Sequence, residues 1–154
     1  MFNSNKEKMK NLKLAALALF ASVAMYGQDV TASKVPSNFT DGLLKAYPNA
    51  TNIEWERNGN DYKVEFDSGR MEHEIWFNKT GDMVRVEKDI TRAELPTIVS
   101  EIIKRDYPDF KIDDVQSVFK DGVTTYVVEI EKGWSKDITI TFTQTGKVMS
   151  IMKD

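Results

Sequence analysis

Residues Thr31–Asn49, TASKVPSNFTDGLLKAYPN, recur sixty positions later as Thr91–Asp109, TRAELPTIVSEIIKRDYPD. Thr31/Thr91, Pro36/Pro96, Tyr47/Tyr107 and Pro48/Pro108 are identical, and Val35/Leu95, Ser37/Thr97, Asp41/Glu101, Lys45/Arg105 and Asn49/Asp109 are conservative. Each block predicts a short helix. A proline at its first position needs no N–H partner, and apolar residues then keep helical spacing: Phe39, Leu43, Ala46 and Tyr47 in one block, Val99, Ile102, Ile103 and Tyr107 in the other. The closing Tyr-Pro stops the helix, because proline disfavours helical geometry in the residue before it.

Beyond each helix the period switches from helical to two. Ile53 and Trp55 alternate with Glu54 and Glu56, and Tyr62, Val64 and Phe66 with Lys63, Glu65 and Asp67. Ile75 and Phe77 alternate with Glu74 and Trp76. The second block repeats this with Tyr126, Val128 and Ile130, and with Ile138, Ile140 and Phe142. Turn chemistry separates the runs at Asn58-Gly59-Asn60, Ser68-Gly69, Thr80-Gly81-Asp82, Asp121-Gly122, Lys132-Gly133 and Thr145-Gly146. The reading is a tandem duplication of an α-β-β-β-β unit, with repeat 1 over 28–90 and repeat 2 over 91–154. Alternation means an antiparallel sheet with one buried face. A lone repeat of about 60 residues buries too little surface to be stable, so the two are expected to share one core. The predicted fold class is α+β in two layers: a sheet of up to eight strands, with helices on one face and the other face free.

The first 27 residues read as a signal peptide. Lys6, Lys8, Lys10 and Lys13 precede the run Leu14–Met25, whose twelve residues span about 18 Å, too short for a bilayer. Cleavage after Ala24 fits the small-residue rule and cleavage after Gly27 fits the change in polarity; Met9 offers a second start. Removing residues 1–27 deletes four Lys and one Glu from a chain with 21 basic and 24 acidic residues, leaving 17 against 23 and a net charge of −6. An exported, periplasmic or secreted protein with no transmembrane segment after cleavage follows. Its lack of cysteine fits an envelope protein held by an ordinary core.

Composition also limits the chemistry. There is no cysteine and one histidine, His73, and the acidic balance argues against nucleic acid. No HExxH, GxSxG, calcium loop or glycine-rich phosphate loop is present. No catalytic residue, cofactor or metal site is therefore assigned. The carboxylate pairs Glu72/Glu74, Glu129/Glu131 and Asp113/Asp114 are the only acid/base or hard-cation chemistry on offer. Alternation places His73 on the core row, where Ile138 stands in the second repeat, so it reads as a structural residue.

The order Val-Pro…Tyr-Pro, Trp/Glu strand, Tyr-x-Val-Glu-Phe, Leu-Pro…Tyr-Pro, Tyr-x-Val-Glu-Ile and Thr-Gly-Lys resembles the PepSY-like, beta-lactamase-inhibitor-like family of exported proteins from Bacteroides and its flavobacterial relatives. The resemblance covers about Thr31 to Met152. It implies a fold like the β-lactamase inhibitory protein, whose concave sheet face engages an enzyme, but it brings no catalytic residues. The expected role is a non-enzymatic, monomeric binding module, inhibitor-like, whose acidic sheet face meets a protein or basic peptide. The residues assigned to that face are Trp76, Glu72, Glu74, Glu65, Glu54, Arg85 and Glu129. The plainer reading is a solvated face whose charges pair with Lys63 and Arg85, with the Trp76 ring covered by one of those stems. The alternative function is a periplasmic sensor or carrier of a small ligand or cation.

Overall fold

The computed structural model describes residues 27–133 and 137–153; the leader predicted over 1–27 lies outside the described residues except for Gly27. Among the described residues nine strands form one antiparallel sheet in which every strand pairs with its neighbours in sequence. They are β1 (Gln28–Val30), β2 (Ala50–Asn58), β3 (Asp61–Ser68), β4 (Met71–Phe77), β5 (Met83–Asp89), β6 (Lys111–Lys120), β7 (Val123–Glu131), β8 (Asp137–Thr143) and β9 (Val148–Lys153). Helix α1 (Ser37–Ala46) enters β2, and α2 (Thr97–Asp106) precedes β6. A 3-10 turn, helix and four strands thus follow one another twice.

The ninth strand corrects the expectation of up to eight. Three residues directly after the predicted leader, Gln28 to Val30, pair antiparallel with Arg57, Glu56 and Trp55. Gly27 permits this approach: a Cβ there would lie 2.7 Å from a Glu56 carboxylate oxygen. The prolines also shift by one position. Pro36 and Pro96 cap the helices from just outside, at φ near −54°, rather than occupying the first helical turn. In β2 a bulge between Thr51 and Glu54, with Asn52 in the left-handed region, turns Ile53 out to solvent instead of inward.

Two apolar clusters replace the single core expected from the sequence. The first joins Phe39 and Leu43 of α1 to Trp55, Tyr62, Val64, Phe66, Ile75 and Phe77. The second joins Val99 and Ile103 of α2 to Val115, Val128, Ile130, Ile138, Ile140 and Phe142. The register puts the sheet residues of both clusters on the same face. One continuous row runs from Phe66 through His73, Lys88, Ser117 and Tyr126 to Phe142. The clusters separate because Lys88 and Ser117 interrupt this row at the β5/β6 seam. His73 is buried as a structural residue: its ring stacks on Phe66 at 5.1 Å and meets Tyr47 edge-on.

Candidate functional site

The opposite face is read directly from the register. Its central row is Glu54, Glu65, Glu74 and Glu87, each opposite the next across β2, β3, β4 and β5. On one side lies Glu56, Lys63, Trp76 and Arg85, continued by Lys120 of β6. On the other, Asp67 faces Glu72, and the Glu72 backbone N–H donates to Asp89 Oδ2 at 3.4 Å. The row then continues as Gln116, Val127, Thr141 and Ser150. The face is therefore densely acidic over β2 to β5, and beyond it Asp114, Glu129, Glu131 and Asp137 stand among neutral residues with Lys111 and Lys120.

Like charges directly opposite on neighbouring strands destabilise a sheet unless something relieves them. Two cations do part of this. Lys63 Nζ donates to Glu65 at 2.5 Å and lies 3.1 Å from Glu56, and Arg85 pairs with Glu87. Burial alone would lower the Lys63 pKa, but its bonds to Glu65 and Glu56 and the nearby Glu74 outweigh that and raise it. Protons do the rest. Glu74 has its pKa pushed up to about 8, first by burial and then by Glu65. Asp89 rises to about 6, again through burial and then Asp114, and Glu72 is raised for the same kind of reason, burial reinforced by Glu65 and Asp67. Oδ1 of Asp89 is buried with no hydrogen-bond partner among the described residues.

Of the residues assigned from sequence, Glu65, Glu72 and Glu74 come together most closely: one carboxylate oxygen from each lies within 4.8 Å of the others. Glu54 is exposed at the end of the same row. Trp76 lies between two cations, with the Arg85 guanidinium carbon 5.1 Å and Lys63 Nζ 6.0 Å from its ring centroid. Glu129 is a correction. It shares the face, opposite Asp114 and Thr139, yet it is buried rather than solvent-facing, as is Glu87. Its chain neighbours Val128 and Ile130 are in the core on the other face. Sequence reasoning left out Asp89, because only the β4/β5 register brings the end of β5 beside Glu72.

The family model described as "Putative beta-lactamase-inhibitor-like, PepSY-like" matches residues 21–72 and 62–150, and the chain belongs to that family. A BLIP-like protein from Bacteroides fragilis is 27% identical, with 77% of this chain and 85% of that one covered at a TM-score of 0.57. A DUF2874 family protein from Bacteroides uniformis is 22% identical over 77% of this chain and 89% of that chain, TM-score 0.62. A third structure, of "putative periplasmic proteins" from Bacteroides eggerthii, is also 22% identical, covering 77% of this chain and 88% of that one, TM-score 0.63. No curated protein matches the chain. Among the described residues no helix is long and apolar enough to cross a membrane.

Proposed function

We propose that this protein is an exported, non-enzymatic binding module of the cell envelope, inhibitor-like in its mode of action. Two helix-and-sheet repeats form a helical layer behind one sheet face, and the acidic half of the other face receives a basic peptide or a basic segment of a protein. The observation that carries this reading is the row Glu54–Glu65–Glu74–Glu87. Together with Glu56, Asp67, Glu72 and Asp89 it puts eight carboxylates on β2 to β5 against Lys63 and Arg85. A cationic partner lowers the energy of such a face by supplying the missing charge, and its field guides the approach of that partner. The family and its BLIP-like neighbour support a module that works through its surface.

Calorimetric titration with a peptide of about six Arg and Lys residues tests it. Binding is expected to weaken as ionic strength rises, because the Debye length falls to about 8 Å at 0.15 M salt. It should fall at least about tenfold, or about 1.4 kcal/mol, in Glu65→Gln/Glu74→Gln. Equal affinity for wild type and double variant would sink the proposal. The closeness of the Glu65, Glu72 and Glu74 oxygens favours a second reading, a hard divalent cation. A calcium titration of the same sample, read as a melting-temperature rise, separates the two.

A further inference from the structure

The helix-side face is polar at the seam between the two apolar clusters. There Lys88 of β5 stands directly opposite Ser117 of β6, and Ser117 opposite Tyr126 of β7. These side chains, with Val86, Ile90 and Phe119, line a cleft of about 310 Å³, at the low end of the range for small-ligand sites. Ser117 is 8% exposed, and its hydroxyl has no hydrogen-bond partner among the described residues. Its oxygen is not among the buried unpartnered atoms, so it is open to the cleft and can bond to whatever enters. Lys88 makes no ion pair within hydrogen-bonding reach among the described residues, its charge acting at longer range on His73 and Glu94. Glu94 also lines the cleft; its Oε2 accepts from both the N–H and the hydroxyl of Thr91, and these bonds, with a smaller contribution from Lys88, hold its carboxyl below the usual range. Val86, Ile90 and Phe119 supply the apolar lining, Phe119 being 42% exposed, and Thr124 and Tyr126 complete the wall.

We infer that this cleft binds a small organic carboxylate with an apolar body. The ammonium of Lys88 and the hydroxyl of Ser117 take the carboxylate, and Val86, Ile90 and Phe119 receive the apolar part. Directly opposite residues in an antiparallel pair have Cβ atoms about 4.5–5.5 Å apart, so a cation and a hydroxyl can close on one carboxylate. The site lies on the face away from the acidic row and stands independently of the peptide-binding proposal.

Phenylacetate and its neutral isostere phenylacetamide test it, with amide shifts of the ¹⁵N-labelled protein as readout. Phenylacetate is expected to move Lys88, Ser117, Phe119 and Tyr126, and the amide to bind at least about tenfold more weakly. Lys88→Met should abolish the preference for the acid, and Ser117→Ala should weaken acid binding several-fold. Both variants leave the apolar clusters intact, and their unperturbed spectra verify the fold. No movement at the cleft at about 10 mM phenylacetate, where even a millimolar site is mostly filled, would overturn the inference. So would equal binding of acid and amide.

Discussion

Glu65 and Glu74 face one another directly across β3 and β4, with Glu54 beyond one and Glu87 beyond the other. Four glutamates in one row are tolerated because Lys63 and Arg85 pair with two of them and Glu74 holds its proton to about pH 8.

Replacing Glu74 by Gln should stabilise the protein, and by an amount that depends on pH. The native state holds the Glu74 proton up to about pH 8, whereas the unfolded chain releases it near 4.5, so native Glu74 binds more protons between these values. Stability from this group is therefore greatest below about pH 4.5 and is lost as pH rises to about 8. Thermal melts of Glu74→Gln should match wild type at the acid end and exceed it by several degrees at the alkaline end.

His73 gives the opposite slope. Burial lowers its pKa below the usual 6.5, ahead of the raising effect of the Met71 carbonyl and the lowering effect of Lys88. The native state then binds fewer protons than the unfolded chain below about pH 6.5, and stability falls as pH drops through that range. His73→Phe, which keeps the ring against Phe66 and Tyr47, should remove this part of the acid sensitivity. Denaturant unfolding of both proteins at a series of acid pH values measures the difference.

The two clusters predict additivity. Ile75 belongs to one and Ile140 to the other, and both are fully buried. Each change to Ala should cost about 2–5 kcal/mol. The double variant should equal the sum within about 0.5 kcal/mol, since the two share no packing partner. A larger coupling in urea unfolding would show a common core after all.

Trp76→Ala should cost stability more than it costs binding. The ring spans Lys63 and Arg85, so its loss removes two cation–π contacts of about 0.5–1 kcal/mol each while leaving the glutamate row in place. Chemical denaturation of the variant beside a peptide titration separates the two effects.

Local signals made most of the fold legible. Phe39, Leu43, Val99 and Ile103 gave away the buried helix faces, and Val64, Phe66, Ile140 and Phe142 the strand rows, because side-chain period follows backbone geometry. The turn glycines 59, 69, 81, 122, 133 and 146 all have positive φ, as the turn chemistry requires. Ile53 was misleading because a bulge cancels alternation and leaves no mark in composition. The split core was hidden for a related reason. Lys88 and Ser117 sit at core parity, a polar interruption visible in sequence, but only the β5/β6 pairing shows that they fall side by side. The acidic face was readable strand by strand, while the Glu54–Glu65–Glu74–Glu87 row, Asp89's place in it and the burial of Glu129 depend on register and on what covers each strand.

The proposed basic partner completes the acidic face, and Glu74 reports on that directly. Its side-chain carboxyl carbon can be followed by ¹³C NMR through a pH titration, with and without a saturating basic peptide. The cationic partner should stabilise the carboxylate, bringing the Glu74 pKa down from about 8 and releasing a proton on binding near neutral pH. A Glu74 titration unchanged while the peptide is demonstrably bound would place the peptide elsewhere and contradict the account.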